Sequence, residues 1–275
     1  MLRALIRGAG RLVRELIGGR EPHQPEPPPY VPPREFQPLR RLVLTDGVSR
    51  TLFEEYGEHR QSDRGDEETG WLLLGLREAD EAVALATLPA GAERQAGVAH
   101  VRFNSQAQAV GSRIVRQGDR RLTILGVVHT HPGSLRHPSE GDFEGDSVWV
   151  AKLRGREGVF GIGTADAPPA DERLARQPKP HVQCLGKLRL SWYSLKRGEE
   201  RYRPLAVELT LGPDLARPLH PVWPILEAHA DRLDRLARQQ ARVTFDLVTR
   251  KSGPALAVTV PLAERGEAVQ LLLDG

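Results

Sequence analysis

Two histidines, a serine and an aspartate fall close enough together in this sequence to bind a metal ion and move protons around it. They lie in Gly126-Val127-Val128-His129-Thr130-His131-Pro132 and, shortly after, at Ser139 and Asp142. Side chains two apart on a strand point to one face, so His129 and His131 project together from the end of the apolar run 122–128. Asp142 falls in the first turn of a helix expected over 139–153, which can fold back against the strand end. Two imidazole nitrogens and one carboxylate oxygen suit zinc. Three protein ligands leave the fourth tetrahedral position to water, the form of a catalytic rather than a structural site. Turnover also needs a base for the water's proton and a donor for an oxyanion. Ser139, at the helix start, can supply the donor. The base should be a carboxylate on a neighbouring element. Glu68 is the strongest candidate, because it opens the apolar strand in Glu68-Thr69-Gly70-Trp71-Leu72-Leu73-Leu74-Gly75. Glu67 beside it is the solvated alternative.

Each residue also has a plainer reading. Surface histidine pairs are common, Ser139 after Pro138 suits a helix cap, and Asp142 is a favourable charge at a helix start. The joint occurrence with Glu68 is what selects a metal site. His137 reads as solvated or facing a substrate. Asp146, one turn beyond Asp142, is either an acceptor for a ligating histidine or an exposed aspartate. The sequence around His23, His59, His100, His181, His220 and His229 supports no functional reading of them.

The elements that must position these residues follow from periodicity. Residues 42–44 read as a strand and Val48, Leu52, Phe53 and Tyr56 as a helix. The runs 71–76 and 82–88 read as strands, as does the alternation at Val101 and Phe103. Asn104 or Ser105 caps a helix bearing Ala107, Val110, Ile114 and Val115. Strands over 159–163, 181–193 and 206–211 complete an α/β domain over 37–212, with a proline-rich loop over 167–180. A small α+β region follows over 213–275, with a helix over 223–241 and strands over 244–248, 256–260 and 269–273. Ahead of the domain, residues 1–36 carry a basic amphipathic pattern (Leu2, Leu5, Ile6, Leu12, Val13 and Leu16 among arginines) and then a proline-dense linker. The preferred reading of 1–20 is a helix that packs on its own protein or is only partly ordered, with docking on an anionic membrane or on a partner the less favoured one.

The run His129-x-His131, Ser139 and Asp142, with Glu68-Thr69-Gly70 upstream, resembles the JAMM signature of the JAB/MPN metallopeptidase family, in its prokaryotic, deubiquitinase-like form. The resemblance covers about residues 40–210. It implies a JAB/MPN fold, a cytidine-deaminase-like mixed β-sheet flanked by helices. It implies zinc (Zn2+) on His129, His131 and Asp142, with Glu68 as general acid/base and Ser139 as oxyanion stabiliser. The implied activity is hydrolysis of a peptide or isopeptide bond after the C-terminus of a ubiquitin-like or sulfur-carrier protein. E1-like or E2-like proteins are the partners it suggests, and a non-catalytic MPN scaffold is the rival reading. Trp71 departs from the family, where a small residue is usual, and is expected to reshape the wall of the site.

Composition sets the remaining bounds. A chain of 275 residues can bury a sizeable core, and its net charge of +3, with acidic and basic residues interspersed, excludes an electrostatic case for nucleic acid. The single cysteine, Cys184, excludes an internal disulfide and fits a reducing, cytoplasmic setting.

Overall fold

Thr45 ends the first strand and begins the first helix: its side chain accepts the Val48 N–H (3.2 Å), and Asp46 adds a favourable charge in the opening turn. In the computed structural model, that pair is β1 (Arg41–Thr45) and α1 (Asp46–Gln61). Residues 35–274 are described, apart from 92–94, 97–100, 169–174, 241, 252 and 263–266; the segment expected over 1–36 lies, save its last two residues, outside them. A hairpin follows, β2 (Gly70–Arg77) and β3 (Glu81–Pro89). The expected half-buried strand near Val101 is only a two-residue piece, β5 (Val101–Arg102), paired with β4 (Gln95–Ala96). Asn104 caps α2 (Ser105–Gly118) by accepting the Ala107 N–H (3.0 Å).

Next come β6 (Thr123–Thr130), α3 (Glu140–Trp149), β7 (Glu157–Thr164), β8 (Arg176–Lys179), β9 (Val182–Leu185), β10 (Leu188–Lys196), β11 (Arg203–Pro204) and β12 (Ala206–Thr210). The helix expected over 139–153 is shorter; it gives way to a 3-10 turn at Val150–Lys152. β8 arises in what reads as loop, because pairing with β9 overrides its weak local preference.

The strands form one mixed sheet in the order β12-β1-β3-β2-β6-β7-β10-β9-β8, with β11 added beside β10. β6 and β7 are parallel, whereas β2 pairs antiparallel with β6. Helix α1 covers one face, where Val48, Leu52, Phe53 and Tyr56 join Trp71, Leu73, Val128 and Trp192 in the core. The architecture is the expected mixed α/β sheet flanked by helices.

Beyond Gly212 the chain makes a 3-10 turn (Arg217–Val222), α4 (Trp223–Ala228), α5 (Ala230–Gln239) and the antiparallel sheet β13 (Thr244–Arg250), β14 (Gly253–Pro261) and β15 (Ala268–Leu273). The single helix expected over 223–241 is broken at His229, since α4 and α5 each pack separately on α2. Asp214 ties this region to β3 by accepting the Thr87 N–H (3.1 Å), and Gln117 on α2 donates to the Phe245 carbonyl (2.7 Å). Among the described residues, no helix is long and apolar enough to cross a membrane.

Candidate metal centre

The β2–β6 register decides what faces what. Gly70 lies opposite His129 and Trp71 opposite Val128. Carrying that pairing two residues further sets Thr69 opposite Thr130 and Glu68 opposite His131. With the period of two along a strand, Glu68 therefore shares a face with both histidines. Glu68 is buried, only 4% exposed, while Glu67 turns aside to pair with Arg64 at 2.6 Å. Gly70 is obligatory in this corner, because a Cβ there would stand 2.6 Å from the Val128 carbonyl oxygen and 3.1 Å from the Phe103 ring. Trp71 points the other way. It is buried in the core beneath α1, where its indole N–H donates to Glu55 (2.7 Å), so it does not form the site wall expected of it.

His131 and Asp142 are each held from more than one side. The His131 N–H donates to the Gly163 carbonyl of β7 (2.8 Å), and its Nδ1 faces the Leu135 carbonyl at 2.8 Å. A carbonyl only accepts, so Nδ1 carries the proton, and in the neutral ring Nε2 presents its lone pair. The intervening loop is pinned in turn: Tyr193 donates to the Arg136 carbonyl (2.8 Å), and the Arg136 guanidinium pairs with Asp166 (2.7 Å). Ser139 caps α3 in a reciprocal box. Its Oγ accepts the Asp142 N–H (3.2 Å), and Asp142 Oδ2 accepts the Ser139 N–H (2.6 Å). The Ser139 hydroxyl also donates to Asp142 Oδ2 at 2.7 Å, so it fixes the carboxylate as well as the helix.

Three side chains converge. His129 Nε2 lies 3.1 Å from His131 Nε2 and 3.2 Å from Asp142 Oδ1, and His131 Nε2 lies 3.4 Å from Asp142 Oδ2. Zinc bonds of about 2.0–2.1 Å at tetrahedral angles place ligand atoms about 3.3–3.4 Å apart. The donor set therefore fits such an ion in type and spacing, and His129, His131 and Asp142 form a group able to hold a metal.

Electrostatics divide the two carboxylates. Burial alone would raise the Asp142 pKa, but hydrogen bonds from His129 and His131 outweigh it and hold the group well below the usual carboxylate range. Burial pushes Glu68 up to about 7; the His131 charge opposes this and Asp142 adds to it. Burial works against a charged His131, yet its bonds to Asp142 and Leu135 prevail and its pKa rises. Asp146 does not accept from a histidine of the site. Its carboxylate takes the Tyr202 hydroxyl (2.7 Å), and burial raises it to about 7. His137 is exposed on the loop.

Residues 49–177 match the model of prokaryotic homologs of the JAB domain. The chain carries a prokaryotic-type JAB domain. Among solved structures, the chain is similar to a solution structure of a Desulfitobacterium hafniense protein at 17% identity and a TM-score of 0.41, covering 63% of this chain and 95% of that one. No curated protein matches the chain. The match to the JAB model spans Glu68, both histidines, Ser139 and Asp142. Sequence reasoning missed Thr130 and Thr69, whose bonds join the Glu68 segment to the histidine strand. The position of Thr130 between the histidines was the only signal available.

Proposed function

We propose that this JAB domain protein is a zinc-dependent hydrolase of the peptide or isopeptide bond that follows the C-terminus of a ubiquitin-like or sulfur-carrier protein. The supporting observation is the convergence of His129, His131 and Asp142 at the end of β6, with Glu68 buried on the same face. These three residues would hold the ion. Zinc so held supplies Lewis acidity, drawing the pKa of a water towards neutrality and polarising the scissile carbonyl.

The remaining work falls to the chain's own groups. Glu68, with a pKa of about 7, takes the proton of the attacking water and passes it to the leaving amine. The water oxygen joins the carbonyl carbon, the C–N bond breaks, and a carboxylate and an amine leave. Ser139 Oγ stabilises the oxyanion by turning its hydroxyl from Asp142, whose Oδ2 keeps the Ser139 N–H. The Leu135 carbonyl keeps His131 in the tautomer that presents Nε2.

The test is incubation of the zinc-loaded protein with a ubiquitin-like protein fused through its C-terminus to a reporter. Wild type cleaves, and Glu68→Ala, still loaded with zinc, does not. Equal cleavage by both overturns the mechanism. A wild type that holds zinc but cleaves no such fusion favours the non-catalytic MPN scaffold, whose partners would include E1-like or E2-like proteins.

A further inference from the structure

We infer that Thr130 is a positioning residue for Glu68: its hydroxyl closes the last rung between β2 and β6 and so sets where Glu68 stands relative to the two histidines. The inference rests on the hydrolase reading above for its activity readout, but not for its structural one.

Thr130 lies between the ligand candidates yet on the opposite face of β6, since side chains alternate along a strand. It is 1% exposed. Its methyl group stands against β7, for a Cβ added at Gly163 would meet Thr130 Cγ2 at 2.9 Å. In an antiparallel ladder, facing residues either exchange two N–H···O bonds or none. The Thr69–Thr130 rung is a hybrid. Thr130 N–H donates to the Thr69 carbonyl (2.9 Å), but Thr69 N–H donates to Thr130 Oγ1 (2.9 Å) instead of to the Thr130 carbonyl. A side-chain oxygen thus replaces a main-chain acceptor where β2 leaves the ladder, and Glu68 is the next residue out.

Valine has the shape of threonine without the acceptor. Thr130→Val leaves the Thr69 N–H unmatched and lets this end of β2 open. His131 keeps its own supports, the Gly163 carbonyl for its N–H and the Leu135 carbonyl for Nδ1, and His129 stays in register with Ile162 of β7. Thr130→Val therefore separates the base from the ligand set without dismantling that set. Thr130→Ser restores the hydroxyl.

The experiment compares wild type, Thr130→Val and Thr130→Ser, each as the full chain loaded with zinc. Amide hydrogen exchange at Thr69 accelerates in the valine variant and returns towards wild type in the serine variant, while zinc affinity is unchanged in both. On a cleaved ubiquitin-like fusion, kcat falls roughly 10- to 100-fold in the valine variant, the range for groups that support a metal site from behind. KM stays level, and serine rescues kcat. Unchanged Thr69 exchange in the valine variant, loss of zinc alongside it, or a serine variant as impaired as valine would each overturn the inference. Should wild type cleave nothing, the hydrolase reading fails by itself, and the exchange and zinc measurements still decide the rung.

Discussion

Replacing His220 with glutamine should loosen the joint between the JAB domain and the region after Gly212, and do so only where the imidazole is charged. His220 Nδ1 meets the Glu55 carboxylate of α1, and its Nε2 meets the Thr87 carbonyl of β3 at 2.8 Å. Both partners are acceptors, so both ring nitrogens carry protons and the ring is an imidazolium. Its side chain is only 8% exposed. Glu55 also accepts from Trp71 (2.7 Å) and Arg217 (2.8 Å), and Asp214 adds negative charge nearby. Burial works against the charged His220, but the bond to Glu55 outweighs it and raises the pKa. Burial likewise works against ionised Glu55, and the His220 bond outweighs that and lowers its pKa. A charge-assisted hydrogen bond contributes about 1.5–3 kcal/mol. Glu55 keeps two partners in the variant, so a loss of about 2 kcal/mol is expected, or a Tm drop of about 4–8 °C for a domain of this size.

The raised histidine contributes fully below its ordinary 6.5 and loses that contribution as pH climbs through its folded pKa. The depressed glutamate contributes fully above its ordinary 4.5 and loses it as pH falls through its folded pKa. The joint is therefore complete between 4.5 and 6.5. Calorimetric melts of wild type and His220→Gln should differ most near about pH 6, and the gap should narrow as pH climbs through the folded pKa of His220. A gap that never narrows as the pH is raised, or no gap near about pH 6, would refute the charged joint.

Other outcomes follow from the same structure. Glu157 is buried with Arg77, and its Oε2 also accepts the Leu39 N–H (2.9 Å); Glu157→Ala takes the carboxylate from a guanidinium that keeps the Glu78, Ala79 and Gln37 carbonyls, and should cost about 3–5 kcal/mol in denaturant unfolding. Gly70→Ala forces a Cβ to within 2.6 Å of the Val128 carbonyl oxygen beside His129. It should cost about 1–3 kcal/mol and weaken zinc binding measured by competition with a chelator. If Glu68 is the base, kcat rises with pH up to about 7 and then levels; a flat profile across that range would exclude Glu68 from the proton transfer.

What the sequence made legible was local. The alternation and apolar runs that build β2, β3 and β6 are set by burial on one or both faces, and the HxH spacing needs only the period of a strand. Ser139 after Pro138 announces a helix start because its side chain can satisfy an N–H that the helix leaves open. Long-range partners were another matter. Glu55 and His220 meet although 165 residues separate them, and nothing local to His220 shows it. Trp71, read from sequence as a wall of the site, lies on the other face of β2, since a residue next to Gly70 must point away from the histidines. The strand Arg176–Lys179 holds a proline and charges, and only its pairing with β9 makes it a strand. The break at His229 likewise reflects what α4 and α5 pack on rather than any breaker in the sequence.

Zinc K-edge absorption fine structure on the purified, zinc-loaded chain tests the account at its centre. One zinc per chain is expected, with a first shell of nitrogen and oxygen at about 2.0–2.1 Å, outer-shell scattering from two imidazoles, and loss of the ion in Asp142→Ala. A chain that holds no zinc, a shell containing the Cys184 sulfur, or an unchanged spectrum in Asp142→Ala would contradict it.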